Sequence, residues 1–248
     1  MNSVLLLHSG GMSSRQWRRL TDRLSPRFAV TAWDFLGCGD NPPWPPGVPF
    51  SFEQDLDALK MGEPFHLVGH SYGGFIGLLL ARARPQDILS ISLYDPTSFG
   101  VLHDDPEGQG DLARILENPV MFDDAQGGQE PWLQAFVDYW SGPGAWEALP
   151  DATRQSFRRV GRKLYYEATT LSREPSPAES YRHITAPSLL MHGEHSPVSV
   201  RRVIQRLGQV LPRATVQPIA GAGHMGPITH ADVVNELIDG LVSATPGS

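Results

Sequence analysis

The sequence predicts an α/β protein with a mostly parallel sheet and helices on both of its faces. Two observations carry that expectation. Short apolar runs without polar alternation recur along the chain, as in strands buried on both sides. Segments with apolar residues at helical spacing separate them, so strands and helices alternate. The 248 residues, 40% hydrophobic and 19% charged, suit one domain with a full core.

The first run, Val4 to Leu7 as residues 4–7, is a strand ending at His8-Ser9-Gly10-Gly11. Ser13 and Gln16 have capping-box spacing, and Trp17, Leu20 and Leu24 mark a helix. Residues 28–32 read as a strand, the Pro-rich stretch 42–49 as a loop and 52–59 as a short helix. The clearest unit follows: a strand over 65–68, a turn over 69–73, and a helix over 75–83 stopped by Pro85. Residues 88–94 and 188–191 are further strands, and Val200, Val203, Ile204, Leu207 and Leu211 mark a helix opened by Ser196-Pro197. Residues 215–219 supply a last strand and 233–241 a closing helix.

Residues 101–182 break the alternation, with helical patches, Pro, Gly and many aromatics but no strand signal. An insertion of that size before the last two strands is expected to fold as a helical cap over the sheet's edge. The expected division is a core of residues 1–100 and 183–248 and a cap of 101–182, with 126–130 its most mobile piece.

A net charge of −7 and a pI near 5.7 give no basic field for a phosphate backbone, so no nucleic-acid partner is expected. The single cysteine, Cys38, excludes an intrachain disulfide and fits a reducing compartment, so a cytoplasmic protein is expected. No segment approaches the roughly 18 apolar residues of a membrane span. A soluble protein is expected.

Gly69-His70-Ser71-Tyr72-Gly73 matches G-x-S-x-G between a buried strand and a helix. A turn that sharp requires small flanking residues and leaves the serine exposed at the sheet's C-terminal edge. A hydroxyl becomes a nucleophile when a base takes its proton, and imidazole suits that task at neutral pH. His224, in Gly221-Ala222-Gly223-His224-Met225-Gly226 after the last strand, is the expected base. His8, His66 and His70 lie at strand ends, whereas His103, His183 and His230 read as surface residues. His192 and His195 lack a further nearby ligand, so no metal is expected. Two N–H donors for an oxyanion are expected from Tyr72 and from the glycine turn, with Gly10 the first choice and Gly11 the second. The same glycines also read as a tightly packed loop.

The glycine turn, the loop Asp34-Phe35-Leu36-Gly37-Cys38-Gly39, the Ser71 elbow and the late His224 together resemble the α/β-hydrolase superfamily, especially its small capped carboxylesterases and carbon–carbon hydrolases. The resemblance covers the chain outside the cap and implies that fold, a Ser…acid…His order and a site beneath the cap. Three departures stand out. The chain begins at what is usually the family's third strand, so the antiparallel edge is expected to be missing. The helix around 52–59 is short. Where family members commonly carry Gly-x-x-Asp, this chain reads Gly193-Glu194-His195-Ser196.

With serine in that place, the resemblance implies Asp95, at the end of strand 88–94 where some α/β-hydrolases carry their acid; Glu194 and no acid at all are the alternatives, and a bare Asp turn the bland reading. Asp34 is expected to brace its loop. Trp132, Phe136, Tyr139 and Trp140 form an aromatic stripe, and Trp132, Phe136 and Trp140, with Gly11, are expected to line the pocket. The expected function is cofactor-free hydrolysis of a small-molecule ester or related acyl compound with an apolar group. The same triad used for carbon–carbon cleavage, acyl transfer or cyclisation is the alternative, and a non-catalytic binding protein is a third possibility.

Overall fold

A computed structural model describes residues 1–62 and 64–245. Six strands form one sheet in the order β2-β1-β3-β4-β5-β6, and every pairing is parallel: β1 Ser3–Leu7, β2 Ala29–Trp33, β3 Phe65–His70, β4 Ile88–Tyr94, β5 Ser188–Gly193 and β6 Ala214–Ile219. The sheet is thus wholly parallel among the described residues.

The unbroken apolar runs are explained by burial on both faces. In β1, Leu5 and Leu7 pack with Leu67, Ile91, Leu93 and Leu190 beneath α3 (Tyr72–Ala83) and α8 (Val198–Val210). Val4 and Leu6 pack on the other face with Val68 and Met191, beneath α1 (Arg18–Leu24) and α10 (Ala231–Ala244). The capping-box reading at residue 13 gives way to another bond. Gln16 sits in a short 3-10 turn, and its Oε1 accepts from the Ser9 N–H at 3.1 Å, so it braces the glycine turn. Asp34 does brace its loop, accepting from Ser14 N at 2.6 Å and Asp40 N at 3.3 Å.

Between α1 and β3 lies the short helix α2 (Phe52–Ala58). Between β4 and β5 come α4 (Pro106–Leu116), α5 (Glu130–Ser141), α6 (Ala145–Ala148) and α7 (Asp151–Leu171), with no strand among the described residues. These helices share an apolar core of their own around Leu112, Trp132, Leu133, Trp146 and Leu164. Within the stretch expected to be mobile, Gly128 packs closely on α7: a β-carbon there would stand 2.2 Å from the Gly161 carbonyl carbon. After β6 come α9 (Gly226–Thr229) and α10. No helix of the described residues is long and apolar enough to cross a membrane.

Candidate active site

The parallel register sets the site. His70 of β3 pairs with Tyr94 of β4, so the next residues, Ser71 and Asp95, emerge side by side at the C-terminal edge. Ser71 N–H donates to the Tyr94 carbonyl at 3.0 Å, and Asp95 N–H to the Met191 carbonyl at 3.0 Å. Ser71 (φ 54°) and Asp95 (φ 44°) are the two non-glycine residues with positive φ among the described residues. Such backbone strain costs of order 1–3 kcal/mol and persists where the surroundings over-determine it.

The flanking glycines are steric necessities. A β-carbon on Gly69 would meet the Gly73 carbonyl at 2.6 Å, and one on Gly73 would meet the Leu7 carbonyl at 2.4 Å. The turn therefore presses the start of α3 against the end of β1 and brings Gly10 beside Ser71.

His224, in the loop after β6, completes the line. Ser71 Oγ lies 3.0 Å from His224 Nε2, and His224 Nδ1 lies 3.1 Å from Asp95 Oδ2. The Nδ1–H therefore donates to the carboxylate and leaves Nε2 free to accept the serine proton. The loop is held by two donors: Tyr94 OH to the Gly223 carbonyl at 2.8 Å and His70 Nε2–H to the His224 carbonyl at 2.8 Å. Burial pushes the imidazole pKa from 6.5 to about 3. Asp95, fully buried, is raised by burial against the pull of its hydrogen bond from Ser196.

Ser196 is more than a missing acid. Its hydroxyl donates to Asp95 Oδ2 at 2.6 Å, the same oxygen that faces His224, and it accepts from Gly193 N–H at 3.1 Å. Sequence reasoning found the gap at Ser196 but not this bond. The alternative acid, Glu194, is exposed and points away, accepting from Gly221 N–H at 2.9 Å.

Gly10 and Tyr72 both border the hollow above Ser71, and no turn, loop or side-chain acceptor among the described residues takes either N–H. Phe136 and Trp140 divide the space there in two, since both line the hollows on either side. The inner cavity, about 40 Å³, has Gly10, Ser71, Tyr72, Thr97, Leu164 and Glu167 in its wall. The outer one, about 350 Å³, is bordered by Ser71, His224, Phe136, Trp140, Phe157 and Ile228.

Two expected pocket residues lie elsewhere. Trp132 is fully buried in the inserted helices' own core, its Nε1–H donating to the Met121 carbonyl at 3.2 Å, because the N-terminal half of α5 packs there and only the C-terminal half reaches the site. Gly11 borders a separate surface hollow with Arg15 and Asp40, because Phe157 and Leu164 pack against its other side.

Unexpected from the sequence is a buried ionic cluster against Tyr72. Lys163 Nζ donates to Asp55 Oδ2 at 2.7 Å and also pairs with Glu167, and Tyr72 OH donates to the same Asp55 oxygen at 2.9 Å. Lys163 is 1% exposed and Asp55 0%. The one signal in the sequence was the i,i+4 spacing of Lys163 and Glu167, which reads equally as a solvated pair.

A model of the Alpha/beta hydrolase family matches residues 4–237. The chain belongs to that family. Among relatives of this α/β-hydrolase, Lipase LipV of Mycobacterium tuberculosis is 31% identical over 141 residues, 54% of this chain; the match spans about half of the lipase, 51%. Pimeloyl-[acyl-carrier protein] methyl ester esterase of Chromobacterium violaceum is 24% identical over 96% of this chain and 93% of its own. The crystal structure of the enol-lactonase from Burkholderia xenovorans LB400 superposes with a TM-score of 0.72 at 19% identity, covering 98% of this chain and 91% of that one, so it shares the α/β-hydrolase fold.

Proposed function

We propose that this α/β-hydrolase is a serine hydrolase that cleaves esters or related acyl compounds of small molecules through an acyl-enzyme. The observation that carries the reading is the continuous relay from Ser71 through His224 to Asp95, in which both the hydroxyl and the carboxyl stand on strained backbone. Strain of that kind clusters at functional sites.

In this reading Ser71 Oγ attacks the carbonyl carbon while His224 Nε2 takes its proton. Asp95 holds the Nδ1–H tautomer and balances the imidazolium. The N–H groups of Gly10 and Tyr72 receive the oxyanion, and loss of one such donor typically costs about 3 kcal/mol of transition-state stabilisation. His224 then returns the proton to the leaving oxygen, and water, activated by the same imidazole, releases the acid. Residues 101–182 act as the cap.

Because His224 protonates the leaving group and borders the outer hollow but not the inner one, the leaving alcohol occupies the outer side and the acyl group the inner one. The apolar wall of Phe136, Trp140, Phe157 and Ile228 suits an apolar alcohol.

Labelling by a fluorophosphonate and turnover of p-nitrophenyl esters test the reading. Both are expected in the wild type and both are expected to be lost in Ser71→Ala. A Ser71→Ala protein within tenfold of wild-type turnover overturns the assignment.

A further inference from the structure

We propose that the inner cavity is a subsite for a short acyl group bearing a hydroxyl or amine donor, and that Glu167, with Thr97, recognises that donor. The inference rests on the acyl-enzyme reading above, which sets the acyl group on the inner side of Ser71.

Size and two unpartnered oxygens carry it together. The inner cavity measures about 40 Å³, and on that measure one water requires roughly 10–15 Å³. An acyl chain of about two or three heavy atoms fills it. A plain acyl chain of that length leaves two buried polar atoms of the wall without partners. Glu167 Oε2 and Thr97 Oγ1 have none among the described residues, and their side chains are 1% and 2% exposed. An orphan of this kind is unfavourable, the more so when charged, so in an otherwise apolar wall these two oxygens mark where a donor is wanted.

Glu167 is also aimed and fixed. Its Oε1 is held by Lys163, which is anchored on Asp55, itself bonded to Tyr72 OH. Its Oε2 therefore cannot turn to Lys163 without giving up the bond already made. That free oxygen approaches Gly10 so closely that a β-carbon added there would stand 2.8 Å from it. The free carboxyl oxygen thus lies beside Gly10, the residue whose amide is expected to hold the substrate's carbonyl oxygen. An O–H or N–H on the acyl group within a bond or two of the scissile carbonyl meets it there, and Thr97, with its unpartnered hydroxyl, lines the same cavity.

Burial is the largest influence on Glu167 and pushes its carboxyl up to about 7, against Lys163 and with Asp55. An incoming donor supplies what the ionised carboxyl lacks in that setting.

The test compares glycolate and propionate esters of one apolar alcohol, which differ by hydroxyl against methyl, with kcat/KM normalised to hydroxide-catalysed rates. The wild type is expected to favour glycolate at least tenfold. Glu167→Leu, which leaves Lys163 balanced by Asp55, is expected to cut that ratio at least tenfold; if it fails to fold, Thr97→Val, which replaces one hydroxyl by a methyl, reads the same ratio with an expected loss of threefold or more. A change confined to stability moves both esters alike and leaves the ratio standing. A normalised wild-type ratio near one, or a ratio unchanged in the folded variants, overturns the inference while the triad reading stands. A wild type that turns over neither ester and whose Ser71 resists a fluorophosphonate overturns the acyl-enzyme reading and this inference with it.

Discussion

The indole of Trp140 lies over the imidazole of His224, with ring centroids 4.1 Å apart and planes inclined by 24°. Trp140 therefore covers one face of the His224 ring and stacks on it at once. The two effects oppose one another in charge.

Shielding disfavours imidazolium, while an aromatic face attracts a cation. The attraction is worth about 0.5–2 kcal/mol, under 1.5 pKa units at about 1.4 kcal/mol per unit. Burial takes His224 from 6.5 to about 3, and Trp140, stacked on the ring, supplies part of that burial. Since only neutral imidazole acts as base, Trp140→Ala is expected to move the acid limb of kcat/KM to higher pH. A limb that stays, or moves lower, refutes the shielding role.

The hydroxyl of Ser196 and the Nδ1–H of His224 meet on one carboxyl oxygen, Asp95 Oδ2. A hydrogen bond to a charged group contributes about 1.5–3 kcal/mol. Ser196→Ala is therefore expected to lower kcat roughly tenfold or more, although a serine standing where an acid is usual reads as dispensable. Asp95→Asn, which favours the wrong tautomer, is expected to lose at least about a hundredfold. Full activity in both variants would remove Asp95 from the relay.

Lys163 stands between Asp55 and Glu167, all three nearly or fully buried. Burial alone lowers a lysine, yet the charges of Glu167 and Asp55 outweigh it and hold Lys163 above its ordinary value. Lys163→Met strands two buried carboxyls, a loss of about 3–5 kcal/mol. Urea midpoints measure it, and a change under about 1 kcal/mol would show that the cluster is not dry in solution.

His8, His66, His70 and His224 are all pushed down by burial, the first two to about 4. A histidine whose folded pKa is depressed supports the fold above its unfolded pKa and loses that support as pH falls. From pH 6.5 downward the unfolded chain binds protons that the folded one refuses, about 1.4 kcal/mol per pH unit for each histidine. Asp95 and Glu167, raised by burial, act oppositely, two groups against four. The denaturant midpoint is expected to fall from pH 6.5 to 5; a flat or rising midpoint contradicts the buried-neutral state.

The placement of Ser71 and His224 was legible because local geometry demands particular residues there, glycines at 69 and 73 and small neighbours around 224. The position of Asp95 was legible through the family resemblance, in which some members carry an acid at that strand's end, once Ser196 occupied the usual place. The ionic cluster was not, because an i,i+4 Lys–Glu pair has the same pattern whether it faces water or the core. Nor did the stripe on α5 reveal that Trp132 ends in the inserted helices' core while Trp140 covers His224. Periodicity defines a helix face, not which end of it reaches the sheet.

With Ser71 in its proposed role, the strain at residue 71 means that the molecule's most durable version is not its working one. Alanine at that position removes the hydroxyl and keeps the conformational penalty, whereas glycine tolerates φ 54° freely. Ser71→Gly is therefore expected to melt above both the wild type and Ser71→Ala, by the few degrees that about 1 kcal/mol represents in a domain of this size; an unchanged or lower Tm would mean the elbow is relaxed. Screening variants for heat resistance alone would drift toward that inert protein, so any stabilisation campaign needs a turnover filter at residue 71.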